Sequence, residues 1–279
     1  MKKILQKILP KVIGSQINLL ALYNKEAAAK KAFLIFSMPR AVRTNPEQQE
    51  YLNSSQQEKI SIDEKLTVQT YRWEGKGKTV LLIHGWESNA HRWWKLIDQL
   101  REKDYNIIAF DAPAHGGSSG RIFNVPLYTK SLEVITQHFK PEIHIGHSLG
   151  GMTNIYHFHK HNPEHIQKMV VLGAPSELSE IMVDYQNLLG MTDRVMHALD
   201  EYIYKRYGFT FDNFSGSAFA KAITIPGLII HDKLDAIAPV SSSRAFHRNW
   251  EKSTYIETEG FGHSLYQDEV RKAIIDFIA

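Results

Sequence analysis

From residue 65 onward the chain alternates short apolar runs with longer amphipathic stretches, and this alternation restricts what it can fold into more than any other feature. The runs lie at 65–73, 79–84, 105–110, 142–147, 168–173, 227–231 and 253–258. Between most of them, the stretches 91–103, 126–140, 149–161, 241–250 and 264–278 carry apolar residues at helical spacing. Strands alternating with helices require crossover connections, hence an α/β fold with a mostly parallel sheet and helices on both faces. The stretch 175–222 breaks the rhythm: it is helical in pattern, has no strand of its own, and reads as an insertion over one end of the sheet. With 279 residues, 43% of them hydrophobic, the chain can bury a large core without metal or covalent support. It has no cysteine, which excludes disulfides, thiolate metal sites and a cysteine nucleophile.

In a parallel α/β sheet the chemistry collects at the carboxyl ends of the strands. The run 142–147 ends in Gly146-His147-Ser148-Leu149-Gly150-Gly151, a G-x-S-x-G between a strand and a helix. A serine on that sharp turn is lifted clear of the sheet, and the glycines keep side chains out of the neighbouring strand and helix. A serine hydroxyl is a weak nucleophile and needs a base with a group to orient it. Downstream, Asp235 follows the run 227–231 and His263 follows the run 253–258, giving the chain order Ser148, Asp235, His263. His263 would take the proton of Ser148, and Asp235 would hold the imidazole. The backbone N–H groups of Leu149 and Trp86 are the expected oxyanion donors, with Gly85 allowing close approach. Candidate substrate-binding residues are His84, Gly85 and His147 beside the nucleophile, and Met182 and Tyr185 in the insertion.

These motifs make residues 65–279 resemble the α/β-hydrolase family: His84-Gly85, then Asp111-Ala112-Pro113-Ala114-His115-Gly116 with Ser118, the elbow at 146–151, Asp235 with Ile237 and Pro239, and Gly262-His263. The resemblance implies a cofactor-free hydrolase with a cap inserted after the family's sixth strand, which is where 175–222 falls. Asp232 departs from the family, in which many members carry glycine there, and it places a second carboxylate near the acid position. His115 and Asp111 are expected to order a loop near the site.

The expected activity is hydrolysis of a small or medium apolar carboxylic ester through an acyl-enzyme. The alternatives are a thioesterase or a carbon–carbon bond hydrolase with the same triad, or a catalytically silent binding protein on the same fold. Seven aromatic residues between 200 and 219, preceded by Met182, Met191 and Met196, suit an apolar acyl group or pack the insertion. No metal or cofactor is expected. His157, His159, His161 and His165 read as a solvated helix end, and the Gly-Lys-Thr at 77–79 leads into a strand, unlike a phosphate loop. The partner is expected to be a small ester or acyl compound and not nucleic acid, while the oligomeric state stays open.

Residues 1–64 read as a basic helical extension preceding a hydrolase domain at 65–279. Within it, residues 1–43 hold nine basic side chains and one acid, a local charge of +8 that leaves −5 on the rest of a chain whose total is +3. Ile4/Leu5, Ile8/Leu9, Val12/Ile13, Ile17 and Leu20 fall at helical spacing, and a break or kink is expected near Pro10 and Gly14. This face is expected to dock on the body; a peripheral membrane contact is the alternative. The arm is too short of apolar residues for a transmembrane helix and too interrupted for a signal peptide, so a cytoplasmic location is expected.

Overall fold

The computed structural model describes residues 2–40 and 43–279, residues 2–7 by backbone alone. It divides into two units, Pro39–Ser176 with Gly216–Ala279, and Met1–Met38 with Glu177–Ser215.

The first unit is built on eight strands: β1 (Gln56–Asp63), β2 (Leu66–Trp73), β3 (Thr79–Ile83), β4 (Asn106–Phe110), β5 (Ile143–His147), β6 (Lys168–Leu172), β7 (Gly227–Asp232) and β8 (Ser253–Thr258). Their order is β1-β2-β4-β3-β5-β6-β7-β8. The β1–β2 and β2–β4 pairs are antiparallel and all the others parallel. The central strands are covered on both faces, which is why they read as unbroken apolar runs instead of alternating ones. Successive residues still separate by face. Val80, Leu82, Ile107, Ala109, Ile143 and Ile145 pack with Leu96, Ile97, Leu100, Ile274 and Ile278 on one side. Leu81, Ile83, Ile108 and Phe110 pack with Tyr128, Leu132 and Ile135 on the other.

The sheet begins earlier than the sequence pattern indicates. β1 pairs along β2 with Ile60 opposite Val68, so residues 56–63 belong to the sheet and not to a helical extension ending at 64. It escapes a hydropathy reading because only Ile60 and Ile62 are buried; the rest of Gln56–Asp63 is polar and exposed, as suits an edge strand. At the histidine-rich helix end His159 and His161 are exposed as expected, and His157 alone is buried. His157 is fully buried, and its Nε2 donates to Glu133 Oε2 at 2.7 Å from the neighbouring helix Val125–Phe139. That bond chiefly holds the Glu133 carboxyl down at about 2. A partner on another helix cannot be seen from the spacing of the histidines themselves.

The second unit is helical: Lys2–Tyr23 and Lys25–Ser37 from the arm, Leu178–Leu189 and Asp193–Tyr207 from the insertion. The arm therefore docks, and it docks on the insertion. The first helix runs unbroken through Pro10 and Gly14. Gly14 is needed there, since a Cβ would fall 1.9 Å from the Leu189 carbonyl oxygen. Ile17 and Ala21 are buried, Asn18 Nδ2 donates to Gly190 O at 2.9 Å, and Thr192 N donates to Asn18 Oδ1 at 2.9 Å. Phe33 packs on Tyr202 with ring centres 5.4 Å apart. The insertion ends at Ser215: the short helices Gly216–Phe219 and Ala220–Ala222, expected within it, belong to the sheet unit. The Ile4/Leu5 start of the amphipathic pattern and the side chains of Lys2, Lys3 and Lys7 lie outside the described residues. Among the described residues no helix is long and apolar enough to cross a membrane.

Candidate active site

The nucleophile elbow is a matter of space. β5 ends at His147, the helix Leu149–His161 begins one residue later, and Ser148 between them has φ 54° and ψ −127°. A non-glycine residue there is strained, and the surroundings must enforce it. They do so by crowding. A Cβ on Gly150 would come within 2.3 Å of the Ile83 carbonyl oxygen, and one on Gly146 within 2.7 Å of the Gly150 carbonyl oxygen. The helix can pass this close to β3 and β5 only with glycine at both places. Ser148 N donates to Leu172 O at 2.8 Å, tying the turn to β6.

The three residues expected to act together do meet. His263 Nδ1 donates to Asp235 Oδ2 at 2.8 Å, which leaves Nε2 as the acceptor for the Ser148 hydroxyl at 3.0 Å. The Asp235 side chain is fully covered, and that of His263 is 21% exposed. Burial alone would raise the Asp235 carboxyl. Hydrogen bonds from His231, His263 and the Ala238 and Ile237 amides outweigh it and hold the group well below the ordinary carboxylate range. A carboxylate that stays charged under cover can stabilise an imidazolium beside it. His231 is the contributor that motif reasoning passed over: its Nε2 lies 3.2 Å from Asp235 Oδ2. The signal was its place four residues before Asp235 at the end of β7.

Asp232, the second carboxylate, does something else. Its Oδ2 accepts from Thr258 Oγ1 at 2.9 Å and Phe261 N at 2.8 Å, and its Oδ1 from Leu234 N at 3.0 Å. It pins the loop that carries His263 to the loop that carries Asp235.

Leu149 opens its helix, so its N–H is a first-turn donor without an intrahelical acceptor. Gly85 lies against the nucleophile: a Cβ there would fall 2.8 Å from the Ser148 Cβ, so the chain entering Trp86 passes directly beside the hydroxyl. Two other candidate residues are buried beside the site with their imidazoles bonded to backbone. His84 is fully buried, with Nδ1 donating to Gly85 O at 2.7 Å and Nε2 accepting from Ala112 N at 2.9 Å. His147 donates from Nε2 to the His263 carbonyl oxygen at 2.8 Å, its ring 4.9 Å from that of His263. Both imidazoles position catalytic loops. Met182 and Tyr185 are buried in the helical unit, where Tyr185 Oη donates to Ala32 O at 2.9 Å and its ring packs on Phe36.

The loop after β4 is ordered from within. Asp111 is buried, and it accepts from Tyr71 Oη at 2.9 Å, Gly117 N at 2.9 Å and Ala90 N at 2.8 Å. His115 Nδ1 donates to Pro113 O at 2.9 Å, and its Nε2 accepts from Glu87 N at 3.1 Å. Among the described residues there is no group of three side chains able to hold a metal ion.

A family model described as the alpha/beta hydrolase fold matches residues 78–196. The chain is 24% identical over 259 residues to a non-heme haloperoxidase of Rhodococcus erythropolis, covering 75% of this chain and 94% of that protein. It is 27% identical over 150 residues to a pimeloyl-[acyl-carrier protein] methyl ester esterase of Vibrio vulnificus, covering 52% of this chain and 54% of the other. Among solved structures, a bromoperoxidase from Bacillus anthracis superposes with a TM-score of 0.63 at 19% identity, over 80% of this chain and 99% of that one. An esterase from Exiguobacterium antarcticum gives 0.62 at 17% identity, over 79% and 98%. Sheet order, elbow and family match agree: the chain has the α/β-hydrolase fold.

Proposed function

We propose that the protein is a serine hydrolase that cleaves a small or medium apolar carboxylic ester through an acyl-enzyme on Ser148. The observation that carries this reading is the continuous relay from the Ser148 hydroxyl through His263 to a covered, charged Asp235, with contacts of 3.0 and 2.8 Å. As Ser148 Oγ attacks the ester carbonyl, His263 Nε2 takes its proton and Asp235 stabilises the imidazolium. The N–H groups of Trp86 and Leu149 receive the oxyanion. His263 then gives the proton to the departing alkoxide oxygen, leaving the acyl group on Ser148. Water enters, loses a proton to His263, and releases the acid as Ser148 is reprotonated.

The ester-cleaving names of the Vibrio and Exiguobacterium relatives support an ester as substrate. The half-buried Trp86 ring beside Gly85, packed edge-on against Phe123 with centres 5.4 Å apart, supports an apolar acyl group. A series of p-nitrophenyl acyl esters with matching thioesters and anilides tests the reading. Short and medium esters should give the highest kcat/KM. Turnover of the thioesters at least about tenfold above the esters would replace the ester reading by a thioesterase.

A further inference from the structure

On the sheet unit, beside the loop that carries His263, lies a cavity of about 670 Å³. Its lining includes none of Ser148, Asp235 and His263. Four cationic side chains face it, Arg43, Arg92, Lys95 and Arg271, against one acid, Glu87, which is already paired with Arg40. Arg271 is paired with Asp268, and Glu47 lies near His91 on the rim. Among the described residues, Arg43, Arg92 and Lys95 have no ion-pair partner.

Arg92 is the telling one. It is 9% exposed, and its guanidinium is held between the Trp93 ring, 4.5 Å away, and the Tyr266 ring, 5.0 Å away. Its Nη2 donates to the Ser264 carbonyl oxygen at 3.0 Å. Buried charges are ordinarily paired, and this one has aromatic faces and a carbonyl but no carboxylate. Two further buried donors belong to the same lining, Trp93 Nε1 and Arg271 Nε, and neither has an acceptor among the described residues. The surplus is therefore one of donors and of positive charge. Leu96, Leu172, Leu265 and Ile274 supply an apolar wall.

We propose that this cavity binds a small organic anion, a carboxylate or phosphate group carried on a short hydrocarbon or aromatic body. The head group satisfies Arg92 and the orphaned donors, and the body lies along the leucines and Trp93. Forked guanidinium donors suit the paired oxygens of either head group. Arg92 holds the residue after His263, so the occupant bears on the histidine loop.

The test titrates the full chain with phenyl phosphate, benzoate, inorganic phosphate and benzyl alcohol, following tryptophan emission, since Trp93 and Trp94 of the chain's five tryptophans line the cavity. Phenyl phosphate or benzoate should bind saturably and at least about tenfold more tightly than benzyl alcohol or inorganic phosphate. Their order then identifies the preferred head group. Lys95→Glu and Arg43→Glu change exposed rim charges without touching the core, and each should weaken the aromatic anion by about tenfold or more. Arg92→Met should abolish binding. Its failure to fold would leave the rim variants to decide. The proposal is overturned by no saturable response to about 10 mM of either aromatic anion, by benzyl alcohol binding as tightly, or by both rim variants retaining full affinity.

Discussion

Replacement of Ser148 by alanine should lower kcat on the best ester by about 10⁴- to 10⁶-fold while leaving the thermal midpoint near that of the wild type. The loss is large because, in the proposed reaction, the hydroxyl attacks the ester in acylation and its oxygen carries the acyl group that water removes in deacylation. The fold should persist because the elbow is enforced by Gly146 and Gly150 and by the Ser148 N–H bond to Leu172, which alanine keeps. Removal of an Oγ whose hydrogen bond among the described residues is to His263 Nε2 costs little. The two aspartates at the end of β7 sharpen the prediction. Asp235→Asn should lower kcat by about 10⁴-fold, since an amide cannot hold the imidazole tautomer or balance its charge. Asp232→Asn should act first on stability, since its carboxylate joins Thr258, Phe261 and Leu234 and does not meet His263. Steady-state kinetics and thermal melts on the three variants separate these outcomes. Activity of Ser148→Ala within tenfold of the wild type would require another nucleophile.

Acid should unfold this protein well before its carboxylates are protonated. His84, His144 and His147 are buried as neutral imidazoles. Burial pushes all three down, His84 and His147 well below the ordinary value and His144 to about 3. The geometry agrees: His84 Nε2 accepts from the Ala112 amide and so must lack a proton, and His144 Nε2 is buried without a partner for one. Each group has a folded pKa below its unfolded value. Its contribution is therefore complete above about pH 6.5 and is lost as pH falls toward the folded value, the unfolded chain taking up the proton first. At about 1.4 kcal/mol per pH unit per histidine, the three together remove on the order of 6 kcal/mol by pH 5, comparable with the whole stability of many domains. Urea unfolding at pH 7.5 and pH 5 measures this directly. A midpoint that does not move between the two would mean the imidazoles are not held neutral.

The central strands β3 to β7 and the meeting of Ser148, Asp235 and His263 were legible in the sequence for a common reason. Parallel strands buried on both faces announce themselves as apolar runs, and a turn as crowded as the one at Ser148 admits few residues besides glycine on either side. What stayed hidden depends on partners distant in sequence. β1 is a polar edge strand recognisable only from its pairing with β2. His157 looks like a surface residue until Glu133 arrives from another helix. His84 and His147 stand next to the nucleophile and its loop in sequence, and so invite a substrate role. Only their hydrogen bonds to Ala112 and to the His263 carbonyl show that they hold backbone instead. The charge asymmetry of the arm was correct as arithmetic, yet the bonds from Asn18 to the 190–192 turn, which show where it docks, could not be read from it.

The central claim is that Ser148 is a nucleophile activated by His263 and Asp235. It is tested most directly by treating the wild type and Ser148→Ala with a fluorophosphonate and weighing the intact proteins. The account predicts one covalent adduct on the wild type, mapped by peptide sequencing to Ser148, and none on the variant. An unmodified wild type under conditions that label a control esterase, or an adduct that persists in Ser148→Ala, would contradict it.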